Sequence, residues 1–200
     1  MKTAIILIAA LAVGFGAGWY SRPLPVAEQE MPQGGMEVPV MEVPEYTSSY
    51  LFPISEEDYL MRTSAFGVRV SPFLQILSHH HGLDIAGAWR SQVVAIADGV
   101  VTDHYPPPGT RGPRGIIYRG HDVYGGMVQI RHDDGNESLY GHLSRTFVRI
   151  GERVRGGDVI GRQGSTGRAT GEHLHLELRV GGELVNPILY LPDVRGRNER

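Results

Sequence analysis

The sequence predicts an all-β fold, mainly antiparallel, with its sheet coiled into a barrel-like sandwich. Three observations predict it. Beyond residue 60 the apolar residues come in short runs, as in Val93 to Ile96, Met127 to Ile130, Val148 to Ile150, Val159 with Ile160, and Leu174 to Val180. Runs of that length between turn residues read as strands rather than helices. The same stretch holds 22 of the 27 glycines, which suit the turns and bulges of a tightly coiled sheet. No segment past residue 60 sustains a helical period.

The chain is 200 residues long, 41% hydrophobic and 20% charged, which is enough apolar material to bury a core. It has no cysteine, so disulfides, thiolate metal sites and a cysteine nucleophile are excluded. Any metal must therefore rest on His, Asp or Glu. The net charge of -3 hides a split. Residues 21 to 60 set Arg22 against eight acids, whereas residues 61 to 200 set 17 arginines against 14 acids. That second balance is too even for a nucleic-acid domain, so no nucleic-acid partner is expected.

Four segments follow in order. Residues 1–20 contain an uncharged stretch from Thr3 to Tyr20 that, as a helix, would reach roughly 27 Å, just enough for a bilayer core. It reads as a signal-anchor or a cleaved signal peptide. Trp19 and Tyr20 suit the end of an anchor, and Gly16-Ala17-Gly18 offers small residues for cleavage without an A-x-A tripeptide. Residues 21–58 are an acidic, proline-rich linker with a repeated Met-Glu-Val-Pro at Met36 to Pro39 and Met41 to Pro44. Residues 59–192 form the folded domain, and 193–200 a flexible tail. Within the domain, Thr102 to Val123, with Pro106-Pro107-Pro108, reads as a long loop inserted between two strands.

All nine histidines fall in the domain, and three clusters carry the chemistry. In His79-His80-His81-Gly82-Leu83-Asp84, His80 and Asp84 share a face if Gly82 allows a bend. In His173-Leu174-His175-Leu176-Glu177-Leu178, strict alternation puts His173, His175 and Glu177 on one face of a half-buried strand. Two imidazoles so placed allow one to bind a metal while the other reaches a water on it. The third cluster is Tyr140-Gly141-His142-Leu143-Ser144, after a strand and the turn Asp133-Asp134-Gly135-Asn136.

In this order the clusters resemble the lysostaphin and LytM type of zinc peptidoglycan endopeptidases. The likeness runs from about Met61 to Leu191. It takes in Thr63-Ser64-Ala65-Phe66-Gly67-Val68-Arg69, His80 to Ala86, Val93 to Val101, Tyr140 to Ser144, Gly161 to Gly167, His173 to Leu178 and Val185-Asn186-Pro187. The resemblance implies a duplicated hybrid motif fold and one zinc ion per domain on His80, Asp84 and His175. It implies His142 and His173 as the catalytic residues beside it, with either as general base. Three protein donors leave a position for water, as a catalytic zinc site requires.

The implied substrate is the stem peptides of peptidoglycan, and the implied activity is hydrolysis of their cross-links. The implied place is the cell envelope, with residues 3–20 in the inner membrane and the domain facing the periplasm or exterior, or secreted if residues 1–18 are removed. The alternative is a silent relative that binds and activates a wall amidase or a division or wall-synthesis partner. Silent relatives lack one or more of the five site residues, and all five stand here. Two features depart from the pattern. The 102–123 insertion is long, and its Arg111, Arg114 and Arg119 either line a groove facing stem-peptide carboxylates or belong to a solvated surface loop. Glu172 occupies a position where relatives often carry a small residue or proline. Glu177 reads as a plain strand residue in preference to a partner behind the metal-binding side chains.

Overall fold

The computed structural model describes residues 50–193. The expected membrane or signal segment, most of the linker and the tail lie outside them. Among the described residues no helix is long and apolar enough to cross a membrane.

Among the described residues there are thirteen strands: β1 (Tyr59–Ser64), β2 (Gly67–Val70), β3 (Leu77–His80), β4 (Leu83–Gly87), β5 (Gln92–Val94), β6 (Gly99–Tyr105), β7 (Gly126–His132), β8 (Glu137–Leu143), β9 (Arg145–Thr146), β10 (Arg153–Val154), β11 (Val159–Arg162), β12 (Leu174–Val180) and β13 (Glu183–Val185). The largest sheet runs β1-β4-β12-β8-β7-β6-β10, with β13 also on β12. A second sheet is β5-β11-β9, and β2 pairs with β3 alone. Every strand pair is antiparallel. The only helical turns among the described residues are the 3-10 pieces Pro113–Gly115 and Pro187–Leu189.

Short apolar runs make these strands because each contributes only a few residues to one shared core. Val93, Val101, Val128, Ile130, Leu143, Ile160 and Leu174, Leu176 and Leu178 of β12 pack into a single cluster. A buried amide ties two sheets together: Gln163 Oε1 accepts from the Gly87 N–H at 2.8 Å, and its Nε2 donates to the Gly87 carbonyl at 3.2 Å.

Three expectations are corrected. The packed region starts before residue 59, because Tyr50, Phe52 and Ile54 are buried in the core cluster. Their proline-rich, acidic neighbours disguise them in the sequence. The insertion starts later than Thr102, because Thr102 to Tyr105 continue β6 opposite β7. The connection proper begins at Pro106, is pinned by bridges between Arg111 and Ile117 and between His121 and Gly125, and ends at β7. Finally, β12 is buried on both faces near its start, with Leu174 through Leu178 all buried, rather than half-buried.

Candidate metal centre

β4 and β12 are neighbours, and their register sets Asp84 directly opposite His175. His80 reaches the pair from the end of β3, across a turn that only glycine permits. A Cβ on Gly82 would sit 2.5 Å from the Leu176 carbonyl oxygen and 2.7 Å from the His175 ring. The bend anticipated at Gly82 is thus required by close approach to the site itself.

The structure brings together all five residues singled out from the sequence. His80, Asp84 and His175 are buried and offer donor atoms to one another: His175 Nδ1 is 2.8 Å from Asp84 Oδ1, His80 Nε2 is 3.1 Å from the same oxygen, and the two nitrogens are 3.2 Å apart. At zinc–donor distances of about 2.0–2.1 Å a tetrahedral face has edges of about 3.3 Å, so this triangle fits the ion with small adjustments. Within the described residues this is the group of three or more donors that could hold a metal. His79 and His81 are exposed.

Each imidazole donor is oriented by its other nitrogen. His80 Nδ1–H donates to the Ala65 carbonyl at 2.8 Å, leaving Nε2 for a metal. His175 Nε2 is 3.2 Å from Glu177 Oε1, and Tyr124 donates its hydroxyl to that same oxygen at 2.6 Å. The Tyr124 ring stacks on His175 at 5.6 Å. Glu177 is therefore no plain strand residue. A carboxylate behind a metal-binding imidazole fixes the ring and raises its basicity. Tyr124, at the end of the insertion, is the functional residue that sequence reasoning misses, because nothing local marks it.

Charge follows from this packing. Burial opposes ionisation of Asp84, but hydrogen bonds from His175 and His80 outweigh it and hold the carboxyl well below its usual range. Burial likewise disfavours a charged His175, yet Asp84 and Glu177 on its two sides raise its pKa. Without metal, a proton on Nδ1 of His175 occupies the place where the ion would sit.

His142 and His173 flank the donors. Their rings lie 4.8 Å apart, His142 lies 5.6 Å from His175, and His173 Nε2 is 3.7 Å from Asp84 Oδ1. His142 Nδ1 donates to the Thr166 carbonyl at 2.8 Å and His173 Nδ1 to the Gly171 carbonyl at 2.9 Å. A carbonyl can only accept, so each ring, when neutral, has its lone pair on Nε2. Burial, then the neighbouring His173 and His175, pushes the His142 pKa down to about 4. Burial also lowers that of His173.

His142 is placed by an irregularity. It sits where the register between β7 and β8 shifts, and its φ is 61°, in the left-handed region that β-strand histidines avoid. Its N–H donates to the Tyr124 carbonyl at 2.7 Å instead of to the ladder. Backbone strain of this kind collects at functional sites.

The donors and flanking histidines line a cleft of about 280 Å³, walled by Phe73 and Leu74 from the β2–β3 turn, Val123 and Tyr124 from the insertion, and Arg69 and Arg168. The insertion's Arg111, Arg114 and Arg119 are exposed and stand outside that lining, which favours the solvated loop over the groove wall.

An antiparallel β scaffold carrying a three-donor His and Asp face, with two further imidazoles beside it, is an arrangement that could hold one metal ion. Residues 78–187 match the model of peptidase family M23, and the chain belongs to that family. It is 43% identical over 137 residues to the DD-carboxypeptidase/endopeptidase Mpg of Neisseria meningitidis, covering 68% of this chain and 28% of that protein. It is also 37% identical over 113 residues to the murein hydrolase activator NlpD of Escherichia coli, covering 56% of this chain and 26% of the relative. Among solved structures, a zinc-containing peptidase from Vibrio cholerae superposes with a TM-score of 0.54 at 27% identity, over 71% of this chain and 40% of that one. The chain thus spans well under half the length of each of these relatives.

Proposed function

We propose that this chain is a zinc-dependent endopeptidase that hydrolyses peptide cross-links of bacterial peptidoglycan from within the cell envelope. One observation carries the reading: the complete donor triangle stands beside two imidazoles, each with Nδ1 held by a backbone carbonyl. His80, Asp84 and His175 would hold the ion. Zinc, when bound, supplies Lewis acidity for a peptide carbonyl and brings the pKa of water towards about 7.

The chain's own residues manage the protons. The Nε2 lone pair of His142 or His173 accepts the proton of the attacking water and later returns it to the leaving amine. The other ring, when it carries a proton on Nε2, donates to the developing oxyanion. Burial keeps His142 neutral at pH 7, so its lone pair is available there. Glu177 and Ala65 hold the ligand rings still, and Phe73, Val123 and Tyr124 narrow the cleft around the peptide.

A second reading, a silent module that activates a wall amidase or a division partner, draws on the likeness to NlpD. The full set of five residues favours the hydrolase. The test is mass spectrometry of products released from purified peptidoglycan by the zinc-loaded full chain, with and without a chelator. Chelator-sensitive release of uncrosslinked peptides is expected. No release from several wall types by folded, zinc-loaded protein would transfer the assignment to the activator.

A further inference from the structure

We propose that the outer face of the β5-β11-β9 sheet docks on an anionic phospholipid surface, with Arg90, Arg145 and Arg162 taking the phosphates. None of the three lines the metal cleft, so the inference is independent of whether the chain cleaves the wall or activates another protein.

The register of this small sheet sets Arg162 of β11 directly opposite Arg145 of β9, with Gln92 of β5 on its other side. Residues opposite each other on a ladder share a face, and like charges so placed repel. Nothing within the fold offsets the repulsion. Among the described residues none of Arg90, Arg145 and Arg162 makes an ion pair with a carboxylate. Arg90 is brought alongside by its backbone, which has a left-handed φ of 52°. Its N–H donates to Glu172 Oε1, and its carbonyl accepts from Arg162 Nη1 at 3.0 Å. Glu172, which departs from the family pattern in the sequence, thus helps to present the turn that carries Trp89 and Arg90.

Two aromatic rings complete the face. Trp89 is 76% exposed, with the Arg90 guanidinium 5.2 Å from its ring centre, and Phe147 is 43% exposed, with that of Arg145 at 5.4 Å. Stacking on a ring leaves the edges of a guanidinium open for hydrogen bonds. Phosphate suits such forks, since each can give it two parallel hydrogen bonds. A free phosphate ion gains nothing from the rings. A headgroup layer receives them as well, because exposed aromatic side chains settle at that depth. An open sheet face also meets a plane of phosphates with three guanidiniums at once, which raises affinity without a pocket. The face adjoins the metal centre through Glu172, which lines a cavity of about 180 Å³ together with Asp84 and His173. A docked domain therefore holds its metal centre beside the lipid.

The chain has two tryptophans, so Trp19→Phe leaves Trp89 as the sole reporter. The test mixes that full chain with vesicles of phosphatidylcholine brominated on its acyl chains, alone or blended with phosphatidylglycerol. Bromine quenches only a ring that touches the bilayer, so the reading is the same whether or not residues 3–20 insert. Trp89 should be quenched on the blended vesicles and not on the neutral ones. The docking equilibrium, read from the quenched fraction, should fall about fivefold in Arg145→Gln and in Arg162→Gln, and about 25-fold in the double variant. Zinc content checks that each variant is folded. Equal quenching on both vesicles, or quenching that survives the double variant, overturns the role of the arginines. No quenching on either overturns the lipid partner. If inorganic phosphate shifts Trp89 emission in an arginine-dependent way while vesicles do not quench it, the face is a free-anion site and the proposal falls. If polyglutamate does so instead, the partner is an acidic protein, and the proposal falls too.

Discussion

The two halves of the site are built by opposite means. The metal donors come from regular structure: Asp84 and His175 face each other across a β4–β12 ladder in plain register, with His80 brought in by one tight turn. The flanking histidines come from broken structure. His142 occupies a register shift with a left-handed φ, and His173 precedes β12 on an isolated bridge to Gly164. A ladder gives donor atoms spacings accurate enough for a small ion. A kink re-aims a side chain that must approach the donors without joining them. Metal binding and catalysis should therefore be separable by mutation.

The largest expected effect is on the ladder side. His80→Ala or His175→Ala should lose zinc and activity together, with affinity falling beyond the 10- to 100-fold typical of losing an outer partner. Metal analysis after dialysis checks it, and a zinc-loaded, active His80→Ala protein would erase the division. Next, His142→Ala should lower turnover about 10²- to 10⁴-fold while zinc stays at one per domain. If zinc departs as well, the two halves are one unit. Glu177→Gln removes the charge behind His175 and should weaken zinc binding about 10- to 100-fold, measured by chelator competition.

Acid should act on the donors before it acts on the kink. The pKa of His175 is raised by Asp84 and Glu177 against the pull of burial, so as pH falls below neutral a proton competes for Nδ1 and zinc affinity drops. The pKa of His142 lies near 4, so its lone pair survives at pH 5. Between about pH 6.5 and 5, activity should fall in step with zinc content, and excess zinc should restore it. Loss of activity at full zinc occupancy in that window would reverse the order. The smallest effect is expected of Tyr124→Phe, which keeps the stacked ring but deletes the 2.6 Å hydrogen bond to Glu177. Zinc affinity should drop less than about tenfold, the low end for an outer partner.

The same contrast explains what the sequence could disclose. Donors on a ladder obey the period of two, so His173, His175 and Glu177 announce a shared face, and Asp84 follows His80 at a spacing that one glycine can fold. The role of Glu177 stays hidden, because its carboxylate gains meaning only from Tyr124, 53 positions away. His142 is visible as a histidine, yet its conformation depends on the carbonyl of Tyr124 and on two strands shifting past each other. No local pattern encodes that. Tyr50, Phe52 and Ile54 are concealed for a different reason: the composition around them is that of a linker, and burial depends on a surface supplied by distant strands.

The left-handed backbone at His142 also bears on how such a protein ages in a lineage. A histidine there carries a conformational cost of about 1–2 kcal/mol that asparagine or glycine largely escapes. Replacing Asp84 or His175 instead strands buried polar neighbours. Replacing His142 relieves that strain at the cost of one hydrogen bond to the Thr166 carbonyl, whereas replacing Asp84 or His175 breaks contacts with no strain to relieve. For the hydrolase proposed above, the least costly step to a metal-bearing, catalytically silent descendant therefore runs through position 142.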